Sequence, residues 1–302
     1  MIRDKLYRQL GVNMPELPEV ETVRQQLCRK VSNKKIAAVE VFHSKATDHN
    51  ESFQKVLVGQ TIKNIERIGK LMIFTFKDDE ELFMLSHLKM TGQFFYQTKS
   101  GKVAGGGHSM LPADAMDLPN RHTRIAFDFS DSTHLFFNDM RLFGYCKLAD
   151  REQMLKAKEA FGPEPIQCDF DVSWFVEKLR KRKTSVKAVL LDQGFIAGLG
   201  NIYVDEALYI AKVRPTRLAN RVTKKEAIAI AQASKQVLEA AIAVGGTTFQ
   251  HFSDTGGENG NYTDYLKVFG QQTKQCPRKD GGIIQKIRVA GRGTHFCPAC
   301  QK

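Results

Sequence analysis

The sequence predicts an α+β protein of several parts: an opening helix, an antiparallel β sandwich or barrel, a helical second half and a small C-terminal hairpin. Three observations carry this. The apolar period is close to two from Lys34 to about Lys147, it turns helical after Ala149, and beyond about Gln271 the chain becomes polar and basic and ends in a Cys-x-x-Cys pair. A length of 302 residues allows two or three domains with a sizeable core.

The opening helix is read from PELPEVETVRQQLCRKV. Pro18 suits the first turn, Glu19 and Glu21 complement the helix dipole, and Val20, Val23, Leu27 and Val31 share one face. Short β runs follow (KIAAVEVF, TIKNIERI, KLMIFTF, ELFMLSHL, TRIAFDF, THLFFND), punctuated by turns such as Asp78-Asp79 and Asp131-Ser132. Thr98 to Pro119 is rich in Gly and Pro and is expected to form a mobile surface loop. In the helical half, Asp171 is placed to cap DVSWFVEKLRKR, and Thr223 with Glu226 makes a capping box for an Ala-rich helix ending at Gly245-Gly246.

Charge narrows the function. Lys and Arg number 45 against 33 Asp and Glu, a net of +12, which favours a polyanionic partner and nucleic acid first. No apolar run of about 20 residues is present to cross a membrane, and the charged segment MIRDKLYRQLGVN is no secretory signal. Six scattered cysteines without an export signal suit a reducing cytosol, where paired cysteines read as metal ligands. Basic residues gather at 177 to 187 and 274 to 292; each run is equally a solvated face or a nucleic-acid contact. GLGN, Gly198 to Asn201, opens a helix and can turn backbone amides toward a phosphate, though an ordinary helix connection explains it as well.

The cysteines pose a question of their own. Cys297-Pro298-Ala299-Cys300 is a good zinc knuckle, but its counterpart CPRKD, Cys276 to Asp280, carries Lys279 where the second cysteine belongs. Two readings stand: a site of Cys276, Cys297 and Cys300 with Asp280 as fourth ligand, or a metal-free hairpin held by Ile283, Ile284, Ile287 and Val289.

In order along the chain, MPELPEVE (14 to 21), IGK (68 to 70), SHLKMTG (86 to 92), NDMRLFG (138 to 144), GPEP (162 to 165), KTSVK through GLGNIY (183 to 203), GGTT (245 to 248) and GRGTHFCPACQ (291 to 301) together resemble the formamidopyrimidine-DNA glycosylase and endonuclease VIII family. The resemblance covers nearly all of the chain from Met14 onward. It implies a sandwich-like catalytic domain at 15 to 149, a helix-two-turn-helix domain at 150 to 270 and a zinc-finger-like hairpin at 271 to 302, with residues 1 to 14 an extension outside the fold. It also implies a monomer of the bacterial cytoplasm acting on double-stranded damaged DNA, with zinc as the metal.

The residue roles implied are specific. Pro15 corresponds to the nucleophile, Glu16 to its acid/base carboxylate, Glu19 to a carboxylate near the everted base, and Lys70 to a lysine on the DNA backbone beside the lesion. Met90, Arg141 and Phe143 correspond to the side chains that fill the void left by the extruded base, which offsets part of an unstacking cost of a few kcal/mol. His87, His122, Lys187, Asn201 and Arg292 correspond to phosphate contacts. The trio points to the formamidopyrimidine branch and so to oxidised purines such as 8-oxoguanine, excised with strand cleavage at the resulting abasic site. Leu142 departs from that branch, which carries a second arginine there.

The chemistry depends on the start of the chain. A free proline nitrogen is a secondary amine whose adduct is an electron-withdrawing iminium; preceded by Met14 it is an amide with a delocalised lone pair. Met-Pro is a good substrate for methionine removal, and the expectation is a functional start at Met14. Retention of residues 1 to 13 leaves the alternative of a damaged-DNA binder without catalysis.

Overall fold

The computed structural model describes residues 15–101, 103–106, 117–247 and 262–302. The expected extension at 1 to 14, half of the Gly-rich stretch and Thr248 of the GGTT motif lie outside them. The chain divides into two compact units, Met1–Lys158 with Gly245–Asn261, and Glu159–Val244 with Tyr262–Lys302.

In the first unit, helix α1 (Leu17–Val31) buries the face read from its spacing: Val20, Val23, Leu27 and Val31 are at most 2% exposed. Each such side chain stabilises the unit by about 1.5–3 kcal/mol. The helix packs on the hairpin of β2 (Ile62–Ile68) and β3 (Leu71–Phe76). With β4 (Phe83–His87) and β9 (Tyr145–Ala149) these form one antiparallel sheet in the order β2-β3-β4-β9. The second sheet joins β1 (Ile36–Val41), β5 (Gly92–Gln97), β6 (Val103–Gly106), β7 (Thr123–Phe129) and β8 (His134–Asp139) in the order β1-β7-β8-β5-β6. The short helix α2 (Phe53–Leu57) packs on β1, and helix α3 (Arg151–Glu159) follows β9.

The two sheets share one core, which settles the choice between sandwich and barrel in favour of the sandwich. Phe74 of one sheet meets Phe94 of the other with ring centroids 6.0 Å apart, and Phe94 meets Phe137 at 5.1 Å. All six expected β runs are strands. The segment 98 to 119, expected to be loop throughout, contains β6, which pairs with β5 from Phe94↔Gly106 to Gln97↔Val103. An edge strand needs only backbone donors and acceptors, and Gly does not remove them.

In the second unit the Asp171 side chain accepts from Trp174 N at 2.9 Å and caps helix α4 (Val172–Arg180). Helices α5 (Val186–Leu191) and α6 (Asn201–Ile210) flank the GLGN turn. Helix α7 (Lys224–Ala243) begins with the expected Thr223/Glu226 capping box. The C-terminal hairpin pairs β10 (Gln285–Val289) with β11 (Arg292–Phe296). Ala290 and Gly291 make its two-residue turn with φ of 49° and 73°, a sign of the primed turns whose twist matches a hairpin.

Candidate active site

The site is assembled from the N-terminus of α1 upward. Pro15 is buried, and Glu16 and Glu19 are 2% and 1% exposed. Glu19, in the first turn, folds back so that Oε2 accepts from Glu16 N at 2.9 Å. Its other oxygen accepts from the backbone N and the hydroxyl of Thr247, at 2.8 and 3.0 Å. Gly246, at φ 84°, permits this approach: a Cβ there would stand 2.6 Å from Glu19 Oε1. Gly246 and Thr247 of the GGTT sequence are therefore a backbone shaped around a carboxylate.

Lys70 lies in the two-residue turn Gly69-Lys70 between β2 and β3, with Gly69 at φ 54°, and is 5% exposed. An ion cluster ties this turn to α1. Arg67 donates to Glu21 Oε2 at 2.8 Å and to Gly69 O at 2.9 Å, while Arg24 meets Glu21 at 2.7 Å. Burial alone raises the Glu21 pKa, but hydrogen bonds from Arg24, Arg67 and Gln25 outweigh it and hold the group below its ordinary value.

A second group forms on the loops after β4 and β8. Asp139 is buried, and its carboxylate organises the NDMRLFG segment. One oxygen accepts from the Thr91 hydroxyl and from Arg141 N, and the other from Phe143 N at 2.8 Å and Gly144 N at 2.7 Å. These bonds hold Leu142 at φ 56°, a left-handed conformation costly for a residue with a Cβ. They also gather Met90, Arg141 and Phe143. Arg141 approaches Met90 Sδ at 3.2 Å and lies 4.9 Å from the Phe143 ring centroid, and Phe143 is 47% exposed. An exposed phenylalanine on a loop this firmly held is a rigid apolar projection rather than an unburied core residue.

His87, at the end of β4, accepts from Lys89 N through Nδ1 at 2.9 Å. Burial, helped by the positive charges of Lys89 and Lys70, pushes its pKa down to about 3. At neutral pH it is an uncharged imidazole with Nε2–H as its donor. His122 is half-buried, and its Nε2 receives the Arg121 Nε–H at 3.0 Å.

In the second unit, Asn201 heads α6 and donates through Nδ2 to Gly293 O at 3.0 Å, while its Oδ1 is buried with no hydrogen-bond partner among the described residues. Arg292, at the hairpin turn, is exposed. Lys187 is a correction. Expected on a phosphate, it is wholly buried, with Nζ 2.7 Å from Asp205 Oδ1 and 3.4 Å from Gly293 O. A buried ammonium needs a carboxylate, and this one is held in the join between α5, α6 and the hairpin.

Cys276, Asp280, Cys297 and Cys300 present ligand atoms all within 4.8 Å of one another. Their chemistry fits a metal of borderline softness. Burial raises the Cys276 thiol and pushes Cys300 up to about 12, whereas Asp280 sits at about 2, held down by hydrogen bonds from Cys276 and the Gly282 amide. A cation entering there would displace the thiol protons. Arg278 NH1 already stands 3.2 Å from Cys300 Sγ, a donor suited to a thiolate.

Thr247 and Asp139 are the two supporting residues that the sequence left without a role. Both stand inside motifs that were noticed, NDMRLFG and GGTT, so their positions were available, but nothing local pairs Thr247 with a carboxylate 228 residues away.

Three family models match. "Formamidopyrimidine-DNA glycosylase N-terminal domain" matches residues 14–146, "Formamidopyrimidine-DNA glycosylase H2TH domain" 161–253, and "Zinc finger found in FPG and IleRS" 281–302. The formamidopyrimidine-DNA glycosylase of Ligilactobacillus salivarius (strain UCC118) is 39% identical over 291 residues, 95% of this chain and 99% of the relative. That of Streptococcus pneumoniae serotype 4 is 38% identical over 292 residues, 96% and 99% of the two chains. Among solved structures, the Lactococcus lactis Fpg in complex with abasic-site DNA superposes with a TM-score of 0.82 at 37% identity, covering 95% of this chain and 100% of that one. A MutM complex with DNA containing carbocyclic 8-oxo-G gives 0.81 at the same identity and coverage.

Proposed function

The chain belongs to the formamidopyrimidine-DNA glycosylase family, and from that premise we propose that it excises oxidised purines through the nitrogen of Pro15. It is a DNA glycosylase of oxidised-purine repair, and cleavage of the abasic strand is typical of its family.

In the proposed reaction Pro15 carries a free secondary amine, partly neutral near pH 7 because α-amino groups titrate at about 7.7–8.0. Its lone pair attacks the sugar carbon that bears the damaged base; the bond to the base breaks, and the base leaves with a proton. Glu16 exchanges protons with the opening sugar. The resulting iminium withdraws electrons from the neighbouring C2′–H bond, and loss of that proton expels the 3′ phosphate and cuts the strand. Lys70 and His87 hold the backbone beside the lesion, while Met90, Arg141 and Phe143 occupy the vacated stack. His122, Asn201 and Arg292 bind phosphates farther along, contacts that position the duplex without reading its sequence.

The observation that carries this reading is the clamp on the residue after Pro15. Glu19 fixes the Glu16 amide and is itself held by Thr247, so the nucleophile's neighbour is immobilised inside a buried polar pocket. The match to the family's N-terminal domain begins at residue 14, one position ahead of Pro15, which supports maturation to a Pro15 terminus.

The remaining assignments follow. A zinc ion on Cys276, Cys297, Cys300 and Asp280 would brace the hairpin that carries Arg292. The protein acts as a monomer in the bacterial cytoplasm on double-stranded DNA. No helix among the described residues is long and apolar enough to cross a membrane.

Borohydride trapping tests the proposal. Protein beginning at Pro15 is expected to form a covalent adduct with duplex DNA carrying 8-oxoguanine opposite cytosine, and protein retaining residues 1 to 14 is expected to bind that duplex without forming one. Absence of an adduct from the Pro15-started protein overturns the assignment.

A further inference from the structure

Beside Met90, Arg141 and Phe143 lies a hollow of about 450 Å³ to which none of the roles above assigns a ligand. Lys45, Lys89 and Lys147 line it against a single carboxylate, Asp48. They come from three separate places: the turn after β1, the loop after β4, and strand β9. Aromatic rings gather them. Lys45 Nζ is 5.8 Å from the Phe143 centroid, and Lys89 and Lys147 are 5.7 and 4.8 Å from that of Tyr145.

The charges in this hollow do not balance. Asp48 meets Lys147 at 2.9 Å, which leaves Lys45 and Lys89 with no carboxylate partner among the described residues. Burial lowers the Lys89 pKa, and the charge of Lys147 lowers it further. Like charges brought together around a partly apolar hollow repel one another, a cost that an entering anion offsets.

The volume and the neighbours indicate which anion. A hollow of this size is far larger than one phosphate group, and its floor of Leu142, Phe143 and Tyr145 suits an apolar sugar face rather than a free ion. Met90 and Phe143 belong both to the hollow and to the exposed trio. Any duplex that engages the trio therefore passes within reach.

We propose that this hollow is a backbone subsite for duplex DNA, in which Lys45 and Lys89 bind a phosphodiester and Asp48 restrains Lys147. The proposal rests on the DNA-binding reading of the trio, but not on Pro15 chemistry. Its contacts are independent of sequence, so it acts on affinity and salt dependence rather than on the choice of lesion.

The test uses protein beginning at Pro15 and a short duplex bearing a stable abasic analogue, with Kd measured across a series of NaCl concentrations. Lys45→Ala and Lys89→Ala are each expected to flatten the slope of log K against log salt by about 0.9, and to weaken intact and lesion duplexes by the same factor. Asp48→Asn, which keeps a residue tolerant of the left-handed backbone at position 48 (φ 58°), is expected to tighten binding. Lys63→Ala is the control, because Lys63 is already paired with Glu80 at 2.8 Å, and its slope should not change. Unchanged slopes for both Lys45→Ala and Lys89→Ala, or an unchanged Kd for Asp48→Asn, overturn the proposal. Borohydride trapping at saturating protein, on a second duplex that carries 8-oxoguanine opposite cytosine, separates the two readings: an adduct yield kept in Lys45→Ala and Lys89→Ala confines the defect to binding. Failure of trapping in the unsubstituted protein strikes the Pro15 assignment and leaves the salt measurement valid.

Discussion

The Glu19 carboxylate reaches across 228 residues of chain to hold Thr247, accepting from its backbone N at 2.8 Å and its hydroxyl at 3.0 Å while its second oxygen holds the Glu16 amide. Three donors converge on one buried group. Glu19→Gln keeps the shape but turns one acceptor oxygen into an NH2, so at least one donor loses its partner. The expected cost is about 1–3 kcal/mol of stability, read from urea unfolding. Borohydride trapping should slow as well, because the residue beside Pro15 loses its anchor.

Asp139 plays the same part for the projecting trio. Asp139→Asn sets an amide group against backbone N–H groups of Arg141, Phe143 and Gly144, where each carboxylate oxygen now serves two donors. A loss of about 2–4 kcal/mol is expected from the broken charge-assisted bonds. The informative measurement is affinity for duplexes that differ only in the base opposite the lesion: discrimination among them should shrink, since Arg141 no longer has a fixed seat.

The depressed pKa of His87 predicts a pH dependence of stability. The folded value is about 3 against an ordinary 6.5, so between those limits the unfolded chain binds the proton and the folded one does not. The contribution of this group is complete above about 6.5 and is lost as pH falls toward 3. Urea midpoints measured through this window should fall with pH in the unsubstituted protein, and the fall should be smaller in His87→Gln.

Metal content tests the fourth ligand. Purified protein is expected to hold one zinc, and Asp280→Ala should release it to a chelator much faster than the unsubstituted protein does, as should Cys297→Ser. Retention of zinc by Asp280→Ala would assign the fourth position to another group. Loss of the metal should lower the stability of the hairpin and weaken DNA binding through Arg292.

Much of the fold was legible because its signals are local. KLMIFTF and THLFFND read as strands from composition and flanking turns, and Thr223 with Glu226 announced its helix from a spacing of three residues. The strand at Val103–Gly106 was hidden because its Gly residues signal loop, although they keep the backbone groups that pair with the neighbouring strand. The site divides along the same line. Asp280 was recognisable as a candidate ligand because it adjoins the expected cysteine position, and the fold brings it to the three cysteines. Lys187 was misread because a lysine in a basic run looks exposed, and its buried partner Asp205 lies on the following helix with nothing nearby in sequence to mark it. The hollow of Lys45, Lys89 and Lys147 has the same origin: separate turns and a strand contribute one cation each, and only folding brings them together.

The four donors on the Asp139 carboxylate also bear on how fast the protein can search a chromosome. Ordering a loop costs about 1–2 kcal/mol per residue in lost backbone freedom. Here that ordering is completed once, during folding, and not at each encounter with DNA. A stiff projection can press against base pair after base pair with no conformational delay at any of them. Because intact pairs vastly outnumber damaged ones, the time spent on each rejection would govern the whole patrol, and in the proposed void-filling role the rigidity of one small loop would keep that time short.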